Sequence, residues 1–499
     1  MKKITAAALL AALLVLSALF GACAGETGDD QTNTGDGTSP EVTTVPGTES
    51  LYDADGYLKD KIPDSSDYGG ITVNLLACSG QAKQFYVDPD AALSGDALKN
   101  ELFTRMTTVE DRLGIKLNFI MEPGSWNERE AFIGKVDAAV KNGSGDYDVV
   151  IAYNLNPPVM ATNGLLANLA NAPHLDFSNP WYATGFTDTV SVDGRIFFAV
   201  NNADYGSIRN MACVMFDKSL TSRHSLADQD LYKTVISREW TFGKLRELIA
   251  GTYEEANGDS KKSYGDIFGL AVVDAPRLDS LFYGAGLRIV GKDPDGTVVM
   301  QMGDEKVQNT LEEIVDLVYK TDDVYGVDTK MYDMFKNHQA MFYVTPIAIV
   351  DQKLDFDFGV MPVPMLNSDQ KEYSTYMSNT HESWCVPAGV LTYDVATDVI
   401  EAFGSYAYRG IAPLYFETML KYRYSSDDSA SQVYDIIRAD VVFDFGYMFG
   451  NSFSTNPFVL FRTQVTNQAT NWTTLYKKYS ANFDRELGEI ISKLAGQQG

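Results

Sequence analysis

The chain has 499 residues and a formal net charge of −27, from 67 acidic and 40 basic side chains. This length exceeds the usual size of one domain, so we expect two or more lobes. A hydrophobic fraction of 45% excludes disorder of the whole chain. The acid excess disfavours binding to nucleic acid or to anionic lipid, because both need a surplus of Lys and Arg.

The first fifty residues predict an export signal followed by a tether. A short basic start precedes the apolar run 6–20, which is too short to span a bilayer and is typical of a secretory signal. The letters FGAC at 20–23 resemble a bacterial lipobox, in which Cys23 is lipidated; an ordinary signal peptide is the alternative. We expect a signal peptide over 1–22 and a flexible acidic tether, lipidated at Cys23, over 23–50.

The three other cysteines, Cys78, Cys213 and Cys385, each lie in an apolar stretch. This favours buried free thiols. One disulfide plus one free thiol is the alternative in an exported protein. Four cysteines in a chain of this length exclude a disulfide-stapled scaffold.

The hydrophobic pattern between 66 and 155 predicts alternating strands and helices. We expect strands at 71–78, 115–119 and 147–151, a helix over 98–113 that ends at Gly114, and a helix over 132–140 that ends near Gly143. This β-α-β-α-β order is typical of a parallel sheet with right-handed crossovers. Ligands of such sheets bind beyond the carboxyl ends of the strands.

The pattern continues less regularly after residue 195. We expect strands at 195–200, 211–216 and 267–273, a helix capped by Thr241, a hairpin turn at 293–296, a helix over 307–318, and helices from 392 to the last one at 472–494. The two prolines in the segment 358–364 predict a crossover rather than regular structure.

Several short motifs together resemble family 1 extracellular solute-binding lipoproteins of bacterial ABC importers, relatives of maltose-binding protein. They occur in the family's order: DVVI at 148–151 with GLLANL at 164–169, SNPWY at 178–182, VDGRIFFAV at 192–200, VMFDK at 214–218, EWTF at 239–242, and FGVMPVP at 358–364 with Gln370 and Tyr373. The resemblance implies an α/β, two-lobed periplasmic-binding-protein-like II fold with a ligand cleft between lobes joined by hinge crossings. It places the solute-binding domain at 51–499, with lobe 1 at about 66–200 and 362–410, lobe 2 at about 205–345 and 415–499, and crossings near 198–210, 344–362 and 408–416.

Sugar-binding clefts use aromatic rings and planar polar side chains, so we looked for these in loops after strand ends. The candidate ligand-binding residues are Ser79, Tyr153, Asn154, Asn156, Trp181, Asp204, Tyr205, Arg209, Asn210, Tyr343, Thr345, Tyr376, Asn379, Glu382 and Trp384. Trp384 is the first choice for a stacking ring, whereas Trp126 is assigned a structural role. A turn, a hinge ion pair or core packing is the alternative for each candidate. The family's tryptophan near the second-lobe candidates is replaced by Ile347.

The resemblance implies a lipid-anchored, extracytoplasmic and monomeric binding protein that delivers a small solute, most readily a carbohydrate, to an ABC permease. No catalytic motif, metal-ligand set or cofactor motif is found, so we expect neither catalysis nor a cofactor. His381 and Cys385 have no second ligand pair for zinc, and the loop at 257–259 lacks the EF-hand pattern. A surface-anchored carbohydrate-active hydrolase and a ligand-sensing lipoprotein without a permease are the alternatives.

Overall fold

The computed structural model describes residues 50–92, 95–183, 185–272, 275–326, 330–352, 354–422 and 427–497, and the predicted signal peptide, Cys23 and nearly all of the tether lie outside this part. The strands are Ile71–Cys78 (β1), Ile115–Glu122 (β2), Val149–Tyr153 (β3), Ala212–Asp217 (β4), Phe268–Val272 (β5), Val290–Lys292 (β6), Val298–Met300 (β7), Val324–Gly326 (β8), Ala340–Pro346 (β9), Phe358–Met361 (β10), Thr375–Tyr376 (β11), Glu382–Cys385 (β12) and Val441–Val442 (β13).

Helices surround these strands. They are Pro89–Ala92 (α1), Ala97–Leu113 (α2), Arg129–Asn142 (α3), Asn156–Thr162 (α4), Phe186–Val190 (α5), Gly206–Arg209 (α6), Lys218–Arg223 (α7), Asp228–Ile236 (α8), Phe242–Ile249 (α9), Ala275–Gly284 (α10), Glu305–Tyr319 (α11), Met331–Lys336 (α12), Tyr393–Arg409 (α13), Ile411–Pro413 (α14), Asp428–Ala439 (α15), Phe445–Met448 (α16), Pro457–Thr466 (α17) and Trp472–Ala495 (α18). Two 3₁₀ helices, Ser79–Gln84 and Ile347–Gln352, and a π-helix, Leu414–Tyr422, border the crossings between the sheets.

The first lobe is built on a four-stranded sheet of order β12-β3-β1-β2. Strand β1 pairs in parallel with β2 and β3, while β12 pairs antiparallel with β3. Gly114 and Gly143 end α2 and α3 in the left-handed conformation, with φ of 59° at both, which glycine adopts without steric cost. The predicted β-α-β-α-β unit is therefore confirmed.

The second lobe is built on a five-stranded mixed sheet of order β10-β4-β9-β5-β8. Strands β4, β9 and β5 are buried along nearly their whole length between helices on both faces, as their apolar sequences predict. The hydroxyl of Thr241 caps α9 by accepting from the Lys244 N–H at 3.2 Å, and β6 and β7 form the predicted hairpin. These predictions are also confirmed.

Two predictions for this region are wrong. Residues 344–362 do not cross between lobes, because β9 and β10 both pair with β4 in the second sheet. The chain stays with the second lobe up to Met377: Met365 bridges to Thr241, and the Tyr373 hydroxyl donates to the Val235 carbonyl. The return crossing therefore lies at 377–381, about 15 residues later than the predicted lobe boundary at 362.

The predicted strand at 195–200 is absent from the structure, where this segment makes only isolated bridges, including one between Ala199 and Trp384. Its apolar residues fill the first-lobe core without a continuous partner strand. Cys78, Cys213 and Cys385 are buried and form no disulfide, which confirms the prediction that they are buried free thiols. Among the described residues, no helix is long and apolar enough to cross a bilayer.

Candidate functional site

A cavity of about 380 Å³ opens where two crossing segments, residues 203–211 and 377–382, pass between the lobes. We call it the front cavity. Its walls come from the crossing segments, the end of β9 and the following 3₁₀ helix, and α10. The lining residues are Arg209, Asn210, Ala212, Ser280, Val344, Thr345, Pro346, Ala348, Ile349, Gln352, Tyr376, Ser378, Asn379 and Thr380.

Five of the predicted site residues therefore share one cavity. They are Arg209, Asn210, Thr345, Tyr376 and Asn379. Apart from Arg209, its polar lining consists of hydroxyl and amide side chains, and five aliphatic residues, Ala212, Val344, Pro346, Ala348 and Ile349, form the rest. The described lining includes no carboxylate, although the whole chain carries 67 acidic residues. A lining of this kind hydrogen-bonds neutral polar groups.

Asn210 joins the two crossing segments. Its amide donates to the carbonyls of Gly206 and Thr380, at 2.9 and 2.8 Å, and its side-chain oxygen accepts from the Thr380 hydroxyl at 2.8 Å. The backbone carbonyl of Asn210 accepts from the Ser378 N–H at 3.0 Å. These bonds fix the segments against each other at the floor of the front cavity.

Asp204 makes a second connection. Its carboxylate accepts from the N–H of Gly206 at 2.7 Å and from the N–H of Glu382. Burial raises the pKa of Asp204 to about 6, although these N–H donors oppose the shift. Burial also raises the pKa of Glu382 well above its usual range and lowers that of His381 to about 4. At neutral pH the His381 ring is therefore uncharged, and burial favours the protonated form of Glu382.

Among the described residues, the one charged side chain that lines the front cavity is already paired. Arg209 donates to a single carboxylate oxygen of Asp351, through Nε at 3.1 Å and Nη2 at 2.7 Å. A hinge ion pair was the alternative given above for a charged candidate, and for Arg209 the partner is Asp351, whereas Asp204 accepts from backbone N–H groups. The observed pair links the first crossing to the second lobe, and the ionised partner lowers the net charge that a ligand would meet.

Tyr376 is the one aromatic residue in the described lining, and two further tyrosines pack against it. The rings of Tyr376 and Tyr283 are stacked with centroids 5.2 Å apart and planes 6° apart. The hydroxyls of Tyr376 and Tyr447 are 2.5 Å apart, and either can be the donor. Burial raises the pKa of both phenols, so they are neutral hydrogen-bonding groups at physiological pH.

On the first-lobe side, Tyr153 ends β3 close to the Asn379 amide, and burial raises its pKa. The Asn154 side chain is already bonded within the protein. Its oxygen accepts from the Ser383 hydroxyl at 2.6 Å, and its amide nitrogen lies 3.2 Å from the Met448 sulfur. Ser79 is exposed at the start of the 3₁₀ helix that follows β1. Tyr205 packs on Tyr415 and donates to the Lys83 carbonyl at 3.1 Å.

The remaining candidates lie in the lobe cores and not in the front cavity. Trp384 is fully buried between Phe85 and Phe403, with ring centroids 6.3 and 5.2 Å away. Trp181 packs beside Tyr408 in the same lobe. These rings present no open face for stacking, because β12 and the 180–200 segment are covered by α13.

Two further candidates have structural contacts. Tyr343 stacks on Phe335 inside the second lobe at 5.3 Å; it shares a face of β9 with Thr345, but only the strand end reaches the cavity. Asn156 is fully buried in α4 and donates to the Gly124 carbonyl at 2.9 Å.

Trp126 is an exposed aromatic residue in the loop after β2. It was assigned a structural role above and is 46% exposed. The Arg129 guanidinium lies 4.1 Å from its ring centroid, and the positive charge of Arg129 partly opposes the burial that raises the pKa of Tyr153. The strand-end rule applied to β1 and β3 makes this loop a further place to look for a ligand contact. The hydroxyls of Ser378 and Thr380 were missed although Tyr376 and Asn379 of the same segment were selected, because the search favoured aromatic rings and planar polar side chains.

Comparisons with known proteins complete this description. No protein-family model matches the chain, and no curated protein sequence is similar to it. Solved structures do match. A cyclic α-maltosyl-1,6-maltose-binding protein from Arthrobacter globiformis superposes with a TM-score of 0.56 and 14% identity, covering 84% of this chain and 99% of that one. The fold is that of a two-lobed solute-binding protein.

Other solute-binding proteins give the same result. UgpB from Mycobacterium tuberculosis, solved with glycerophosphocholine, has a TM-score of 0.54, 13% identity, and coverage of 84% of this chain and 99% of its own. The GacH receptor of Streptomyces glaucescens, solved with acarbose, has a TM-score of 0.52 and 15% identity, and the match covers 85% of this chain and 99% of the receptor. The α/β, two-lobed fold implied by the sequence resemblance is confirmed. In the part of the chain that the structure describes, no three His, Cys, Asp or Glu side chains form a group suited to a metal ion.

Proposed function

We propose that this protein is a solute-binding protein that captures a neutral hydroxylated solute, most readily an oligosaccharide, in the front cavity. The observation that carries the proposal is the lining of that cavity. Among the described residues, its polar lining consists of amide and hydroxyl groups and one guanidinium, which is paired with Asp351; aliphatic side chains form the rest and can cover the apolar face of a sugar ring. Neutral hydroxyls can replace water on such groups, whereas a charged ligand would find no free counter-charge.

The mechanism is non-covalent. Both lobes supply groups to the site, so a ligand between them makes more contacts when the lobes are close together and favours that state. The solved neighbours with this fold include proteins bound to acarbose and to maltotriose, which supports a sugar-like ligand here. We further propose delivery to an ABC permease from the outer side of the membrane, by a monomer held through a lipid on Cys23.

The test is a thermal-shift screen of the purified protein against malto-oligosaccharides, other oligosaccharides, polyols, sugar acids and short peptides. A ligand of the native state raises the melting temperature by linkage. We expect a neutral oligosaccharide to give the largest shift and to be recovered unchanged by mass spectrometry after overnight incubation. A peptide or sugar acid as the best ligand, or cleavage of the oligosaccharide, would contradict the proposal.

A further inference from the structure

A second cavity lies on the opposite face of the crossing segments. It also has a volume of about 380 Å³, and we call it the rear cavity. Residues alternate between the two cavities along the chain: Ile208 and Met211 line the rear, whereas Arg209 and Ala212 line the front. No lining residue is shared. The rear cavity is therefore a separate space behind the hinge.

The rear cavity has an apolar wall. Its apolar lining residues are Pro180, Ala183, Ile208, Met211, Met377, Ala439, Val441 and Phe443. Met211 and Met377 form a bridge that joins the two crossing segments, and the Phe443 ring packs on Phe186 with centroids 5.0 Å apart. The apolar surface of the rear cavity is therefore formed jointly by the first lobe, the crossing segments and the second lobe.

Arg438, at the end of α15, supplies a positive charge to this cavity. No hydrogen bond or ion pair joins it to another described residue, and its guanidinium lies 4.5 Å from the centroid of the Phe416 ring. Burial lowers the pKa of Arg438, and the carboxylates of Glu417 and Asp435 oppose this shift. The side chain is half-buried, so a ligand that accepts several of its hydrogen bonds in one plane can replace the water that remains on the guanidinium.

The other polar groups in the cavity leave room for an acceptor. Among the described residues, the buried side-chain nitrogen of Asn202 has no hydrogen-bond partner. Asp435 is the one carboxylate in the described lining, and both its oxygens accept from Lys421, at 2.8 and 3.0 Å. The Tyr182 hydroxyl donates to Glu401, and the Ser207 hydroxyl donates to the Asp204 carbonyl at 3.0 Å. The donors that are left for a ligand are therefore those of Arg438 and Asn202.

We propose that the rear cavity binds a small organic carboxylate with an apolar body. A guanidinium pairs bidentately with a carboxylate, the Asn202 N–H can donate to the same group, and the apolar wall can cover the rest of the molecule. This site is distinct from the solute site, and its ligand differs in charge from the neutral solute proposed for the front cavity.

The test uses benzoate as the probe and benzamide as its uncharged analogue, followed by calorimetric titration of the purified protein. We expect saturable binding of benzoate, with benzamide at least tenfold weaker. Arg438→Gln should weaken benzoate binding at least tenfold. Arg485→Gln, which changes an exposed arginine paired with Glu489, should leave it unchanged.

Asn202→Ala provides a second variant in case Arg438→Gln folds poorly, and it should weaken benzoate binding threefold or more. Hydrogen exchange should slow on benzoate binding at Arg438, Ala439 and Val441, which line the rear cavity, and not at Thr345 or Ala348, which line the front cavity. The proposal is overturned if benzoate fails to bind, if benzamide or Arg438→Gln binds equally well, or if protection appears elsewhere. Failure of oligosaccharide binding in the screen above would leave this result unaffected.

Discussion

The interior of the first lobe and the crossing segments use similar residue types for different purposes. In the interior, Trp384 is enclosed by other rings, and the Glu401 carboxylate accepts from Tyr182 and Asn179. On the crossing segments, Asn379 and Thr380 line a cavity. The comparison teaches that residue type alone does not identify a binding residue; the position of the side chain relative to the crossing segments and the ends of the strands matters as well.

The substitution with the largest expected effect tests the interior of the first lobe. Trp384→Ala should lower the free energy of unfolding by about 4 kcal/mol, because it leaves a cavity between Phe85 and Phe403. Urea denaturation measures this change. Affinity for the oligosaccharide, measured at a temperature where the variant is folded, should stay within twofold of the original. A tenfold loss of affinity with full stability would place Trp384 in the site.

A pH-dependent effect also belongs to the interior. Burial raises the pKa of Glu401 to about 7, above its ordinary value of 4.5. The folded state holds this proton more tightly, so the stability it contributes is complete below about pH 4.5 and is lost as the pH rises through 7. The free energy of unfolding should fall by about 3 kcal/mol over this range. Urea denaturation between pH 5 and 8 should show this decline, and Glu401→Gln should reduce it. Glu489→Gln changes an exposed residue and should leave the decline unchanged. If stability falls equally with pH in the original protein and in both variants, the assignment to Glu401 is refuted.

A smaller effect tests the crossing segments. Asn210→Ala removes the hydrogen bonds to Gly206 and Thr380 and should cost about 2 kcal/mol of stability. Because the same bonds fix the floor of the front cavity, oligosaccharide affinity should also fall, by tenfold or more in a calorimetric titration. A variant that loses stability but binds normally would show that the connection between the segments does not shape the site.

The smallest expected effect concerns the exposed loop after β2. If Trp126 contacts the solute, Trp126→Ala should weaken oligosaccharide binding by about 1 kcal/mol, the contribution of one aromatic contact. Its 46% exposure means that little stability should be lost. Titration of Leu391→Ala, which changes a fully exposed residue in another loop, is the matched control. Unchanged affinity for Trp126→Ala would remove it from the site.

Much of the fold could be predicted because local patterns determine it. Gly114 and Gly143 end their helices at positions with positive φ, which glycine adopts more easily than other residues. The turn residues Asp293–Gly296 favour a hairpin, and β6 and β7 pair on either side of them. The return crossing could not be predicted, because Pro362 and Pro364 follow a paired strand and the chain then continues along the second lobe. Nothing local distinguishes such a segment from a crossover.

The site was predicted only in part, because local sequence patterns show where strands end but not which way their side chains point. Arg209, Asn210, Thr345, Tyr376 and Asn379 were found because they lie near crossings or strand ends. Trp384 and Tyr343 were selected by residue type, but their positions inside β12 and β9 direct the rings into the cores. The direction of a strand residue depends on which helices cover each face, and this is set by tertiary packing.

The most direct test of the central claim is the affinity of the tightest oligosaccharide for Asn379→Ala relative to Asn309→Ala, by calorimetric titration. Asn379 lines the front cavity beside Tyr153, whereas Asn309 is exposed on α11. We predict at least a tenfold loss for Asn379→Ala and no change for Asn309→Ala. Equal affinities for the two variants would show that the solute is not held in the front cavity.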